Sequence, residues 1–147
     1  LLLEHGALVD LPNIHGVTPL MAAAGHVSGR GGRPDAEQAQ ARAIELLDRL
    51  LAAGADINAR ITDTHSRTAN VGRQPNAVTE REGQTALYGA VKFGWTDVVA
   101  YLLSKGADPN VKDALGKTPL DAALGRVGGR DNTPSEAIAA LLRAAGD

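Results

Sequence analysis

Four histidines are the side chains best suited to metal binding or proton transfer at neutral pH. They are His5, His15, His26 and His65. A helical zinc site needs two histidines four residues apart, so that both imidazoles share one face of the helix, and no pair here has that spacing. The chain also has no cysteine, which excludes a thiolate metal site and a cysteine nucleophile. We therefore expect no bound metal.

The sequence gives equally little support to nucleophilic or phosphate chemistry. The serines are Ser28, Ser66, Ser104 and Ser135. None stands in a Gly-x-Ser-x-Gly frame, and the spacing assigns them no His–Asp partner. The glycine-rich stretches at 29–32 and 127–130 lack the preceding strand and following helix that a phosphate-binding loop requires. The acidic pair Glu80 and Glu82 lies in a polar turn, which is typical of solvated surface. The sequence therefore predicts no catalytic residues and no cofactor.

The composition indicates one unit with a core of small aliphatic side chains. Of the 147 residues, 44% are hydrophobic but only 3% are aromatic. Such a core suits closely packed helices better than a β-sandwich, which draws on aromatic and β-branched residues. The net charge of −2 gives no overall basic field, and the few Arg-Gly-Gly pieces lack interleaved aromatics, so we expect no nucleic-acid partner. No apolar run approaches the roughly 20 residues of a membrane span. With no targeting signal in it either, the sequence predicts a soluble chain without membrane insertion.

Two short motifs recur along the chain. The first is a hexapeptide that starts at Thr18 (Thr-Pro-Leu-Met-Ala-Ala), Thr85 (Thr-Ala-Leu-Tyr-Gly-Ala) and Thr118 (Thr-Pro-Leu-Asp-Ala-Ala). The second reads Leu-Leu-x-x-Leu-Leu-x-x-Gly-Ala-Asp from Leu46 and recurs in variant form from Val98. A fragment of it opens the chain and a degenerate copy closes it. The last two hexapeptides are 33 residues apart, and a period of this length indicates stacked structural repeats.

The two motifs together predict a pair of helices in each repeat. Threonine followed by proline is a favoured N-cap and a favoured first helical residue, so Thr18 and Thr118 are expected to begin short helices. The leucine-rich motif has helical spacing, and Gly54 and Gly106 stand where the second helix would end in a left-handed conformation. Because one helix pair cannot bury its own apolar face, the pairs must stack on one another.

These motifs resemble ankyrin repeats, most closely over residues 83–120. The resemblance covers the chain apart from two insertions, and it implies an all-α solenoid of stacked helix-turn-helix units with extended turns. The family usually has histidine after the leucine of the hexapeptide, whereas Met21, Tyr88 and Asp121 stand at that position here. We expect this departure to remove a hydrogen bond of the family pattern while the helix pair is kept.

The implied division is a trailing helix of an upstream repeat at 1–12, a repeat at 13–58 with an inter-helix insertion near 26–40, an inserted loop at 59–82, a repeat at 83–112 and a C-terminal capping repeat at 113–147. Spacing places about 15 extra residues between the helices of the first full repeat and about 19 in the turn that follows. Their sum equals one repeat, but 59–82 contains neither motif. A capping-box pattern from Asp35 to Gln38 predicts a second helix extended by about two turns at its start. The polar stretch 60–80 reads as a long loop, a kind of segment that is often functional.

The resemblance implies that a partner protein binds the concave face, formed by the ends of the first helices and the tips of the extended turns. Carried over by position, the contact residues are Arg81, Glu82, Gln84, Tyr88, Lys92, Phe93, Trp95, Ile14, His15 and Lys117. The four aromatic residues fall within 88–101, beside the longest insertion, and exposed aromatics are common in binding hot spots. The alternative for Phe93 and Trp95 is packing within the chain. We expect Tyr101 to pack between helices.

We therefore interpret the sequence as a non-enzymatic module that binds another protein, a monomeric unit within a longer chain that continues upstream of Leu1. Phe93, Trp95, Tyr88 and the loop after Arg60 are expected to supply most of the specificity. One alternative is a structural or targeting segment of a larger protein or assembly. A less favoured one is a small-ligand or RNA-binding role for the inserted loops. Compact repeats with large insertions suggest a bacterial origin.

Overall fold

Six helices in two layers form the part of the chain that a computed structural model describes, residues 6–13, 15–25, 36–62, 81–127 and 134–146. The helices are α1 (Pro19–Ala23), α2 (Ala36–Ala52), α3 (Ala86–Phe93), α4 (Thr96–Ser104), α5 (Pro119–Ala123) and α6 (Glu136–Gly146). Each odd-numbered helix packs on the even-numbered helix that follows it. The odd-numbered helices also pack side by side as an inner layer, and the even-numbered ones as an outer layer. This arrangement confirms the predicted all-α solenoid.

The predicted starts of the short inner helices are confirmed. The Thr18 hydroxyl accepts a hydrogen bond from the backbone N–H of Met21 at 3.3 Å, and Pro19 is the first residue of α1. Thr118 caps α5 in the same way. The backbone N–H of Thr118 donates to the Asp121 carboxylate, which completes a capping box. These bonds satisfy N–H groups that a helix start would otherwise leave unpaired.

The core lies between the two layers and is built from small aliphatic side chains, as the composition predicts. Leu20 and Leu87 of the inner layer are fully buried, as are Leu47 and Leu102 of the outer layer. Alanines fill the remaining inner positions and allow the helices to approach closely. The outer helices α2 and α4 are followed by Gly54 and Gly106, whose φ angles are +91° and +94°. The predicted left-handed helix ends are therefore confirmed.

Helix α2 is longer than the other outer helices and uses its extra length to support α4. It has 17 residues, whereas α4 has nine, which agrees with the predicted extension of about two turns. Within this extension, Gln40 Oε1 accepts a hydrogen bond from the backbone N–H of Asp97 at 2.9 Å. The N-cap residue of α4 is Trp95, which makes no side-chain cap bond, so Gln40 satisfies the first turn instead. Asp35 of the predicted capping box lies outside the described residues.

Between each outer helix and the next inner helix the chain forms an extended turn, here called a finger. The first finger comprises residues 7–17, the second 55–62 with 81–84, and the third 107–117. In the third finger the N–H of Asp113 donates to the carbonyl of Lys117 at 2.8 Å, and the N–H of Gly116 donates back to Asp113 at 2.9 Å. Asn13, Gly16 and Val17 repeat this pair of bonds in the first finger. A tight five-residue tip therefore closes both fingers.

The second finger has the same two closing bonds although its tip is much longer. The N–H of Ile61 donates to the carbonyl of Gln84 at 2.9 Å, and the N–H of Gly83 donates to Ile61 at 2.8 Å. Ile61 is only 1% exposed and belongs to the finger itself. We therefore place the insertion at 62–82, at the tip, whereas the sequence alone predicts an inserted loop from residue 59. Of this insertion, residues 63–80 lie outside the described part of the chain.

The first residue of the tip is an amide or a carboxylate in the two short tips, and it is the apolar Ile61 in the long second tip. Asp113 Oδ1 accepts the N–H groups of Leu115 and Lys117 at 2.9 and 2.8 Å. Asn13 plays the same role in the first finger. The second finger has no such tight tip after its opening residue, so an acceptor is not needed there. An apolar side chain, that of Ile61, fills the buried position instead.

A repeated Asp-x-Asn sequence at the base of the second and third fingers sets the register between neighbouring repeats. The Asp56 carboxylate accepts the N–H of Asn58, two residues on, at 2.9 Å. Asn58 Oδ1 accepts the N–H of Asp108 in the next finger at 2.9 Å, and its amide donates to the carbonyl of Gly106 at 3.3 Å. In the first finger Asp10 accepts the N–H of Asp56 in the same manner. These side-chain hydrogen bonds connect successive fingers, and we call them the Asp-x-Asn ladder.

Candidate functional site

The predicted contact residues fall into three structural groups. His15, Arg81, Glu82 and Lys117 are half-buried residues of the fingers, and Gln84 is a buried one. Lys92 and Phe93 end the inner helix α3, and Trp95 follows it. Ile14 lies outside the described residues. The finger residues precede the start of the inner helix, whereas Lys92, Phe93 and Trp95 lie at its far end, where Phe93 contacts Gly25.

Tyr88 and Gln84 are corrected as contact residues, because both side chains are fully buried. The Tyr88 hydroxyl donates to Asp113 Oδ2 at 3.5 Å. Burial, with the negative charge of Asp113 beside it, raises the pKa of Tyr88 far above its usual range. Tyr88 therefore holds α3 against the third finger and presents no surface to a partner. One sequence signal could have indicated this burial. Tyr88 holds the same position in the hexapeptide as the apolar Met21, which is also fully buried.

At the positions where the family usually has histidine, the residues of this chain make other contacts. Tyr88 makes its own bond to the following finger, and Asp121 caps α5. Hydrogen bonds from Thr118 hold the pKa of Asp121 below its usual value. In the first repeat the pair equivalent to Tyr88 and Asp113 is Met21 and Ile61, and both are buried and apolar. A polar contact in one repeat is therefore replaced by apolar packing in another.

Phe93 and Trp95 form an edge-to-face pair with ring centroids 5.0 Å apart and an interplanar angle of 65°. Both are half-buried. Gly25, at the end of α1, lies against Phe93, since a Cβ added there would stand 3.4 Å from Phe93 Cβ. Packing within the chain, the alternative left open for these rings, accounts for part of their surface. The exposed remainder lies beside Lys92 at the end of α3.

Tyr101 packs between the outer helices, as predicted. Its hydroxyl donates to Asp48 Oδ1 of α2 at 2.8 Å, and the ammonium of Lys105 lies 5.3 Å from the ring centroid. Burial and the hydrogen bond to Asp48 raise the pKa of Tyr101 to about 12. The bond from Tyr101 and the nearby Lys105 lower the pKa of Asp48. This cluster ties α4 to α2 and is separate from the inner side.

Sequence reasoning missed two basic residues of the fingers, Arg60 and Lys112. Each stands four residues after the aspartate of an Asp-x-Asn sequence, so they occupy equivalent positions in successive fingers. The guanidinium of Arg60 donates to the carbonyl of Gly83 at 3.3 Å and to the carbonyl of Lys112. The periodic position was visible in the sequence, but the bond between neighbouring fingers required the stacked structure.

Leu115 is one of two large exposed apolar residues among the described residues of the fingers' distal halves, and the other is Leu11. Leu115 stands at the tip of the third finger and is 53% exposed. Its backbone N–H is fixed by Asp113 Oδ1 at 2.9 Å, so the side chain projects from an ordered turn. An exposed leucine on a fixed support can contact an apolar group of a partner without much loss of conformational entropy.

Metal-binding clusters and membrane-spanning helices are both absent from the described part of the chain. No group of three or more His, Cys, Asp or Glu side chains stands close enough together there to hold a metal ion. In the same part of the chain, no helix has the length and apolar character needed to cross a membrane.

Known proteins resemble the chain in both sequence and fold. The Notch protein of Drosophila melanogaster is 34% identical over 116 residues, which are 79% of this chain and 4% of that protein. Notch homolog protein 2 of Homo sapiens is 32% identical over 120 residues, again 79% of this chain and 4% of that protein. The crystal structure of the ankyrin repeat domain of Bcl-3, a member of the IkappaB family, superposes with a TM-score of 0.59 at 24% identity. That match covers 97% of this chain and 43% of the Bcl-3 chain.

The sequence relatives are animal proteins, so the suggested bacterial origin has no support from them. The chain spans only a small part of their length, about one twenty-fifth. A family model of ankyrin repeats, in three copies, matches residues 38–144. The motif spacing, the two-layered stack of helix pairs and these matches agree, and the chain belongs to the ankyrin repeat family.

Proposed function

We propose that this chain is a non-enzymatic module that binds another protein through the inner side of its stack, the fingers and the ends of the inner helices. Ankyrin repeats generally mediate protein–protein interactions. The observation that carries the proposal is the ladder of hydrogen bonds between fingers, from Asp10 through Asn58 to Asp108. Because the ladder fixes the fingers before a partner arrives, little ordering entropy is lost on binding.

The proposed contact surface is the predicted set without its buried members. The members retained from the prediction are His15, Arg81, Glu82, Lys92, Phe93, Trp95 and Lys117, and the exposed Leu115 is added to them. Ile14 and the loop between Thr62 and Arg81 remain part of the proposal on sequence grounds, since the loop is inserted at the tip of a finger. Both closing bonds at the base of the insertion are kept.

Site-specific photo-crosslinking tests this surface directly. A benzophenone side chain is introduced at Leu115 on the inner side, and a matched one at Glu45, an exposed residue of α2 on the outer side. After irradiation in extracts of the source cells, cross-linked proteins are identified by mass spectrometry. We expect a partner captured from position 115 and not from 45. Capture only from position 45, or equal capture from both, would contradict the proposal.

A second candidate function is a targeting segment within a longer protein. It is favoured by the relatives, of whose length the chain spans about 4%. The two functions differ in what the module does after binding and share the same surface. Fusing the chain to a fluorescent protein separates them: a targeting segment concentrates the reporter at one cellular structure, and the Leu115→Ser variant abolishes that pattern.

A further inference from the structure

The charged side chains of the described residues are divided unevenly between the two sides of the stack. The inner side consists of residues 11–13, 15–25, 59–62, 81–95 and 111–127, which form the distal half of each finger and the inner helix that follows. It carries six Lys or Arg and three Asp or Glu, whereas the rest of the described residues carry four and eight. The inner side is thus net positive by three charges in a chain whose overall charge is −2. Its basic residues are Arg60, Arg81, Lys92, Lys112, Lys117 and Arg126.

Two of the three inner carboxylates are already used within the fold. Asp113 is buried, and its oxygens accept two backbone N–H groups and the Tyr88 hydroxyl. Asp121 accepts bonds from Thr118 and lies 3.7 Å from the guanidinium of Arg126. These carboxylates stabilise turns and helix starts. They offset part of the positive charge, and the inner side remains net positive by three with both of them counted.

Three of the basic residues are close together on the second and third fingers. Arg60 donates to the carbonyl of Lys112, and Asp113, the next residue, donates its N–H to the carbonyl of Lys117. The ion pairs seen among the described residues include none of these three cations. We call Arg60, Lys112 and Lys117, with Leu115 at the tip, the basic finger patch.

We propose that the partner contributes an acidic, extended protein segment with an apolar side chain, and that this segment binds the basic finger patch. The inference rests on the proposed protein-binding function and names the chemistry of the partner. Carboxylates of the segment lie against the cations, while its apolar side chain contacts Leu115. Opposite potentials on the two surfaces accelerate the encounter and select against basic partners.

Single-stranded nucleic acid is disfavoured by the position of the aromatic residues. Proteins that bind it combine a basic groove with aromatic side chains on which bases stack. Among the described residues, Tyr88 is buried, Tyr101 bonds to Asp48 on the outer side, and Phe93 packs with Trp95. None of these rings belongs to the basic finger patch.

The test titrates the full chain with fluorescein-labelled probes and follows their anisotropy. The probes are a peptide of alternating Glu and Ser around a central Leu, the same peptide with Gln for Glu, the same with Lys for Glu, and an oligothymidylate. The patch variant is Lys112→Glu/Lys117→Glu. Its matched control is Arg42→Glu/Arg49→Glu, which reverses two exposed charges on α2 and gives the same net charge. Circular dichroism verifies that both variants are folded.

We expect the acidic peptide to bind more tightly than the other probes, and added salt to weaken this binding through screening. Exposed ion pairs contribute modestly, and reversing two charges turns attraction into repulsion at both positions, so the patch variant should bind the acidic peptide about tenfold more weakly. The control variant should differ by less than about twofold, because its changes lie on the other side of the stack.

Several outcomes would overturn the inference. They are equal binding of the Glu and Gln peptides, tighter binding of the oligothymidylate, equal weakening by the control variant, or no binding of the acidic peptide. The proposed function is tested separately. If cross-links from position 115 still capture a protein while the acidic peptide fails, only the chemistry assigned to the partner is wrong.

Discussion

Replacing the insertion of the second finger by a two-residue tip is expected to stabilise the fold. In the variant, residues 62–82 become Ala-Leu, the tip sequence of the third finger. The bond between Ile61 and Gln84 now closes 22 intervening residues, whereas the equivalent bond between Asp113 and Lys117 closes three. Since the closing bonds are the same, the short tip should form on the existing base without moving the neighbouring fingers.

The magnitude follows from the entropy of closing the loop. Shortening it from 22 to three residues is almost three halvings, each worth about 0.6 kcal/mol, or about 1.7 kcal/mol of added stability in total. For a domain near 150 residues this corresponds to a rise in Tm of roughly 3–7 °C. Urea denaturation followed by circular dichroism measures the free energy, and differential scanning calorimetry measures Tm.

A control variant separates loop length from loop sequence. Residues 63–80 are replaced by a Gly/Ser linker of equal length, which keeps the closure entropy, and its stability should match the wild type within about 0.5 kcal/mol. If both variants are less stable than the wild type, the inserted residues contribute packing that the argument omits. If only the shortened variant is less stable, the second finger does not share the base geometry of the third, and the equivalence of the fingers is wrong.

The remaining predictions concern single positions and are measured by urea denaturation. Asn58→Ala removes both side-chain bonds to the third finger and should cost about 1–2 kcal/mol, while Asn58→Asp keeps the acceptor and should cost less. Gly16→Ala should be clearly more destabilising than Gly116→Ala: both have φ near +75°, but the added Cβ at 16 would lie 2.5 Å from a backbone oxygen of the second finger, whereas 116 has open space. If both variants lose the same free energy of unfolding, the first two fingers are not as close together as this distance indicates. Tyr101→Phe removes the bond that lowers the pKa of Asp48. Because a lowered pKa stabilises the fold above the unfolded value, near 4, the wild type should lose its advantage over this variant as pH falls below 4.

The starts and ends of the helices could be predicted from the sequence because each repeat forms them with the same residue types at the same spacing. Thr18 and Thr118 cap helices, and Gly54 and Gly106 end them, through contacts within a few residues. Such contacts depend on local spacing, which a single sequence shows directly.

Contacts between repeats could not be predicted in the same way, because they join residues far apart in the chain. Tyr88 was assigned to the surface from its position in the repeat, yet it is buried by Asp113 of the following finger. The start of the inserted loop is harder to locate from the sequence because Ile61 stands where the other fingers have an acidic or amide residue that opens the tip. Only the closing bond to Gln84 shows that it holds the equivalent position.

The Asp-x-Asn ladder explains why acidic residues stand at the base of the fingers. It does not explain why basic residues stand near their tips. Asp56 and Asp108 each accept an N–H two residues on, and Asp10 accepts the N–H of Asp56, so the acidic residues at the base of the fingers have a role as acceptors within the fold. The ammonium groups of Lys112 and Lys117 enter none of the ion pairs seen among the described residues, and within the fold Lys117 adds a long-range contribution to the hydrogen bonds that lower the pKa of Asp121. Replacing either lysine by glutamine should therefore leave the free energy of unfolding within about 0.5 kcal/mol of the wild type. If such variants unfold more easily by 1 kcal/mol or more, the positive charge serves the stack itself, and the case for an acidic partner loses its basis.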